Sequence, residues 1–202
     1  MRKGLTLLTI MMALVISPMH VVGSDEQVVG KKTIEEGHTK NREDAEALFT
    51  RYMSMNYLFN PAITALYMHD AMVEKNTLYP RGKKKKKLKV TGLRWRSLFR
   101  ELLPMMERQD DYSSFSNIKY EFQDDNSIVI RASRFGWKNC YWDHTFFLTV
   151  ARDIRQDSRP MMVKEEYMEE PKESLCDQLQ QDEKNWNRQK RKKYLEQQKS
   201  TN

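Results

Sequence analysis

The chain has 202 residues and a formal charge of +7, a length that suits one domain of ordinary size with tails. Its two cysteines do not make a disulfide framework, so apolar burial must hold the core together. The charge is unevenly spread. The run Lys83–Lys87 and the stretch from Lys184 to Asn202 together outweigh the total, which leaves the rest mildly acidic and argues against a basic binding face built into the fold.

Arg2 and Lys3 make a positive start, Leu5 to Ile16 is uncharged and mostly apolar, and Ser17-Pro18 ends the run. Gly23 and Val21 stand one and three positions before Ser24, where signal peptidase reads side chains. This pattern predicts a signal peptide over residues 1–23, cleaved after about Gly23, and a protein that is exported, periplasmic or secreted. The apolar run falls short of the ~20 residues a spanning helix needs. A retained anchor is the competing reading, with Pro18 and His20 inside its span. Export would place Cys140 and Cys176 where oxidation can occur. Sequence leaves open whether they bridge, two separate thiols being the plainer reading.

Residues 24–41 are polar and read as a flexible lead-in. From Arg42, Ala45, Leu48, Phe49, Tyr52 and Met53 recur at the spacing of a helix with one buried face. Asn60-Pro61 restarts the chain as a cap and first turn, and Ile63, Leu66 and Tyr67 carry a short second helix. His69 to Val73 should leave it extended. Lys83–Lys87 reads as a solvated loop, because adjacent like charges repel. Thr91-Gly92 opens a third helix that buries Trp95, Leu98, Phe99, Leu102, Leu103 and Met106, with Pro104 near its end.

After Tyr112 the period becomes that of strands. Ile118, Tyr120 and Phe122 alternate with polar residues, Asp124 to Ser127 turns, and Ile128 to Ser133 pairs back. Trp142 to Asp153 predicts a third strand with His144, Phe146, Leu148 and Val150 on one face. Met161 to Met168 predicts a fourth, with Met161, Val163, Glu165 and Tyr167 on one side. Helices followed by antiparallel strands predict an α+β domain, helices packed on one face of a curved sheet, over residues 42–170. Residues 171–202 read as a basic, charged tail, helical or disordered.

Three strings in this order resemble the SnoaL-like group of the nuclear-transport-factor-2-like (NTF2-like) superfamily. Ala65-Leu66-Tyr67 with Asp70-Ala71-Met72-Val73-Glu74 resembles its passage from second helix to first strand. Val90-Thr91-Gly92 leading into Leu93–Leu102 resembles the loop and helix that follow. Pro160 to Tyr167 resembles its last strand. The resemblance implies a cone in which helices close one side of a curved antiparallel sheet over a pocket. It does not settle function. Steroid isomerases of this superfamily use a strand carboxylate as base, with a tyrosine and a protonated carboxylic acid as oxyanion donors. Arg51-Tyr52 matches the helix-borne tyrosine. Lys75 stands at the base position, and Phe146–Val150 holds no carboxylate, so two of the three roles are empty.

Other groups remain as weak catalytic candidates. His144 beside Asp143, Asp70 beside His69, and Glu165 could each move a proton, although a hydrogen-bonded strand-edge histidine and a turn-closing aspartate are the plainer readings. No metal-ligand spacing and no phosphate loop appears, and no cofactor is implied. Tyr52, Trp95, Trp137, Trp142 and Tyr167 are candidate pocket-lining aromatics for a flat or apolar ligand, with ordinary core the plainer reading for Trp95 on its helix. Lys83–Lys87 and Arg188–Lys193 could touch an anionic membrane surface, or simply keep the chain soluble; export disfavours nucleic acid as a partner. The first functional reading is an exported, non-catalytic binding or interaction module for a small apolar ligand or a protein partner, potentially a homodimer. The second is a lyase, isomerase or hydrolase on a small apolar substrate. The third, a membrane-anchored secretion-assembly subunit, requires an uncleaved N-terminus.

Overall fold

The computed structural model describes residues 25–79, 86–152 and 160–200. The predicted signal peptide and Lys83–Lys85 lie outside them. The chain divides into two compact units, Met1–His38 and Thr39–Asn202. Among its described residues the first contributes the N-terminal part of a helix, and the second holds every other element.

Helix α1 (Asp25–Tyr57) buries Ala45, Leu48, Phe49 and Tyr52, the stripe its spacing predicted. It begins well before Arg42, so residues 25–41, expected to be a flexible lead-in, are helical. Extending a nucleated helix fixes one residue per added hydrogen bond, which polar residues tolerate. A 3-10 turn (Pro61–Leu66) follows, capped by the Asn60 side chain accepting from the Ala62 N–H at 2.9 Å. Strand β1 (Tyr67–Leu78) and β2 (Lys86–Thr91) then pair antiparallel. Lys86 and Lys87, expected in a solvated loop, are strand residues. Lys87 is held by Glu74 across the pair at 2.8 Å, and lysines suit a sheet edge because they discourage pairing with another chain.

Helix α2 (Gly92–Gln109) starts at Thr91, whose hydroxyl accepts from the Arg94 N–H. Trp95 and Phe99 are buried on it, Leu98, Leu103 and Met106 half-buried, and Leu102 exposed, contrary to expectation. Arg96 clamps α2 to the preceding segment, donating from Nε to the Thr64 carbonyl at 3.0 Å and from Nη2 to the Tyr67 carbonyl at 2.6 Å. Gly92 lies against β1 so closely that a Cβ there would stand 2.0 Å from the Met68 carbonyl oxygen.

Strands β3 (Ser113–Phe122) and β4 (Ile128–Gly136) form the predicted hairpin. Its turn is closed by Asp125, which accepts from the Ser127 N–H and hydroxyl. The expected third strand is broken in two, β5 (Tyr141–Asp143) and β6 (Phe147–Ala151). Asp143 causes the break by capturing the Thr145 N–H at 2.9 Å and its hydroxyl at 2.7 Å, a local bond that competes with the ladder. Strand β7 (Met162–Pro171) completes the sheet, whose order is β2-β1-β7-β6-β4-β3 with β5 on β4. Every pair is antiparallel except β1 with β7, which are parallel. The architecture is α+β, helices on a largely antiparallel sheet. One core cluster joins α1, the 3-10 turn, α2 and the inner faces of the strands.

The charged tail is a helix, α3 (Gln178–Ser200). Cys140 and Cys176 are joined by a disulfide, with their Cα atoms 4.9 Å apart. The plainer reading of two separate thiols is therefore corrected. Proximity was the missing datum, since the asparagine between the bridged loop and the tail, Asn139, holds both the Leu175 N–H and the Pro171 carbonyl.

Candidate functional site: a buried carboxyl between two tyrosines

In β7 the two-residue alternation that starts at Val163 would aim Glu165 and Tyr167 into the core. The structure instead buries Val163, Glu166 and Met168. The cause is a β-bulge. Thr149 of β6 faces Glu165 while the next residue, Val150, faces Val163, so Lys164 is the extra residue. One inserted residue flips every later side chain to the other face. In β1, whose pairing with β7 is irregular between Tyr67 and Met72, plain alternation turns Tyr67, Ala71 and Val73 inward.

The β7 bulge, the β1 alternation and the α1 stripe bring three groups together. The Tyr52 hydroxyl donates to Glu166 Oε1 at 2.6 Å, and the Tyr67 hydroxyl donates to Oε2 at 2.5 Å. Glu166 is 0 % exposed. Its burial pushes the carboxyl's pKa above the ordinary value, against the two tyrosine hydrogen bonds and the positive charge of Arg134. Burial, then the negative charge of Glu166, push both tyrosines well up, so they remain proton donors. Phe49 and Phe115 pack their rings against Tyr52 and wall the group with apolar surface.

Trp95 approaches from α2. Its indole N–H is buried and makes no well-formed hydrogen bond among the described residues; the Tyr67 hydroxyl is near enough to accept from it weakly, which pulls that hydroxyl's pKa down against the larger effect of burial. A buried donor so poorly paired is the group in this cluster with room for a better acceptor.

Of the predicted lining aromatics, Tyr52 and Trp95 meet here and the other three do not. Trp137 belongs to a second cluster with Phe59, Tyr112, Phe135 and Cys140, and its N–H donates to the Ser114 hydroxyl at 2.7 Å. Trp142 is 46 % exposed and stacks on His144. Tyr167 lies on Phe147 and donates to Glu169 Oε1 at 2.7 Å while accepting from Asn76 at 2.9 Å.

The three weak catalytic candidates fall outside the cluster. His144 is exposed and its Nδ1 lies 3.1 Å from the Ser133 hydroxyl, the strand-edge arrangement already weighed against catalysis. Asp70 is exposed in the β1 irregularity, and Glu165 faces away from Glu166 by the pleat. Lys75 pairs with Glu170 at 2.6 Å. A carboxyl does meet Tyr52, but from β7. Sequence alternation alone hid Glu166; its one signal was a pair of adjacent glutamates in a strand, of which the pleat must bury one.

The basic stretch Arg188–Lys193 is also divided. Arg191 is buried on Asp110 and Arg188 pairs with the same carboxylate while half exposed, whereas Lys190, Lys192 and Lys193 are exposed.

No protein-family model and no curated protein sequence matches the chain. Solved structures to which it is similar include a putative scytalone dehydratase from Novosphingobium aromaticivorans, at 16% identity and a TM-score of 0.45, over 66% of this chain and 86% of that one. Another is the yeast UBP3-associated protein BRE5, at 12% identity and a TM-score of 0.44, over 63% and 93%. A third is an NTF2-like protein with a cystatin-like fold from Novosphingobium aromaticivorans, at 12% identity and a TM-score of 0.40, over 72% and 89%. This chain's own element order is the α+β arrangement, helices on one face of a curved and largely antiparallel sheet, that the resemblance to the SnoaL-like group implied.

Proposed function

We propose that the protein is an exported binding module whose interior holds a small, mostly apolar ligand bearing one hydrogen-bond acceptor. The observation that carries this reading is the Trp95 indole N–H, buried and at best weakly paired with the Tyr67 hydroxyl, beside a polar group whose other members are well bonded. An acceptor such as a carbonyl would complete it, and the rings of Phe49, Phe99 and Phe115 supply apolar contact around it. Both oxygens of Glu166 already accept a hydrogen bond, which favours holding over turning over. The Cys140–Cys176 bond supports the exported setting, because structural disulfides persist in oxidising compartments.

Native mass spectrometry of the protein purified from its exporting host tests the reading. A retained mass in the wild type, lost in Trp95→Phe with the fold intact by circular dichroism, is the expected result. Retention undiminished in the variant would overturn it. The same spectrum reads mass doubling, and N-terminal sequencing reads cleavage near Gly23.

A second reading rests on Glu166 itself. A carboxyl whose pKa is raised by burial and which contacts two phenols is an arrangement suited to proton transfer. It predicts that the small molecule retained by Glu166→Gln differs in mass from that retained by the wild type, or accumulates unconverted. An identical retained molecule in both would favour binding alone.

A further inference from the structure

A second cluster of aromatic side chains surrounds a cation. The guanidinium carbon of Arg191 lies 4.7 Å from the ring centre of Phe59, 4.9 Å from Tyr112 and 5.5 Å from Tyr57. Arg191 Nη2 donates to Asp110 Oδ1 at 2.7 Å. Asp110 is fully buried. It ends α2 in the left-handed region, φ 51°, a conformation aspartate tolerates better than most residues, and this turns its carboxylate under the rings. Burial pushes the Tyr112 pKa up to about 12, so the phenol stays neutral and its ring face stays available to a cation. Three ring faces and one carboxylate are the chemistry by which proteins recognise guanidinium and alkylammonium groups.

Arg191 fills this site incompletely. Its Nη1 is buried with no hydrogen-bond partner among the described residues. The helix that carries it is also weakly seated. Among the described residues of α3, Lys184 and Arg191 are the buried side chains, whereas Leu179, Trp186 and Tyr194 are exposed. Lys184, Arg188 and Arg191 recur at four- and three-residue spacing, which sets them on one helix face, and Arg188 joins Arg191 on Asp110. A helix docked by a basic stripe with no apolar seam depends on its tether for local concentration. The Cys140–Cys176 bond provides that tether, since Cys140 belongs to the cage cluster and Cys176 packs against it just before α3.

We infer that Tyr57, Phe59, Tyr112 and Asp110 form a guanidinium-binding cage that α3 occupies in cis through Arg191, and that a guanidinium group from outside the chain competes for it. This site shares no polar group with the Tyr52–Glu166–Tyr67 cluster and stands whether or not that cluster binds a ligand.

The probe is methylguanidinium chloride, with sodium chloride at equal ionic strength as control. In the full-length Arg191→Ala protein, methylguanidinium should raise the melting temperature saturably where sodium chloride does not. Asp110→Asn in the same background should abolish the saturable part. A response equal to that of sodium chloride, or one indifferent to Asp110, would overturn the inference. Because Arg191→Ala could unfold, hydrogen exchange on the wild-type protein provides a separate reading. Methylguanidinium should speed exchange of the α3 amides over that in sodium chloride, at about tenfold higher probe concentration than saturates the variant, because the tethered arginine competes. Equal exchange in the two salts would count against the cage. N-acetylarginine amide in place of methylguanidinium distinguishes the source. Tighter binding of the amide points to an arginine side chain of another chain, and tighter binding of methylguanidinium to a free small molecule; a failure of both sinks the proposal.

Discussion

Glu166 shows how one side chain can govern the stability of a core. Its carboxyl is buried, hydrogen-bonded at both oxygens and higher in pKa than an ordinary glutamate. Folding therefore favours its protonated form. Stability from this group is complete below the unfolded glutamate pKa and is lost as pH rises through the higher folded value. Glu166→Gln removes that titration, so its melting temperature should fall less steeply than the wild type's from about pH 4.5 upward, as paired thermal scans would show. A steeper fall in the variant would contradict the assignment. Tyr52→Phe leaves Glu166 Oε1 without its donor. It should cost about 1–3 kcal/mol in urea unfolding and push the Glu166 pKa further up, since the lost hydrogen bond lowers it.

At the scale of elements, the contact between α2 and β1 is the tightest test of the fold. Gly92 is the first residue of α2, and a methyl group there would meet the Met68 carbonyl in the β1 irregularity. Gly92→Ala should destabilise by about 1–3 kcal/mol, the usual cost of overpacking a site that cannot relax. Chemical denaturation would measure it, and an unchanged midpoint would mean that β1 yields at Met68. The bulge at Lys164 is the other element-scale device. Deleting Lys164 should remove the bulge while leaving Val163, Glu166 and Met168 inward, because the remaining residues then alternate in the register already seen. Retention of the raised carboxyl titration, followed by NMR of labelled glutamates, is the expected readout, and its loss would mean that the bulge itself seats Glu166.

For the whole molecule, the disulfide links the β4–β5 connection to the segment before α3 across a sequence separation of 36 residues. Closing a loop of that size in the unfolded chain stabilises by about 3–4 kcal/mol on the chain-entropy model. The double variant Cys140→Ser, Cys176→Ser should lose stability of that order by chemical denaturation, and the wild type should show the same loss on reduction. Equal midpoints before and after reduction would mean the bond does not form in the protein as made. No helix among the described residues is long and apolar enough to cross a membrane.

What sequence alone determined is what depends on local periodicity and turn chemistry. The α1 stripe Ala45, Leu48, Phe49 and Tyr52, the cap at Asn60, the start of α2 at Thr91 and the β3–β4 hairpin were all legible, because each is set by neighbours a few residues away. The α+β class followed from their order. Tertiary structure decided the rest. The bulge at Lys164 depends on how β7 registers against β6, and no pattern within Met161–Met168 reveals it. Asp143, by capturing Thr145, split a strand that alternation had drawn as continuous and put His144 outside. The cysteine pair and the seat of Arg191 on Asp110 join residues 36 and 81 positions apart. Such contacts arise only when the sheet brings distant segments together, so the site moved from the residues that alternation favoured to Glu166, one position away.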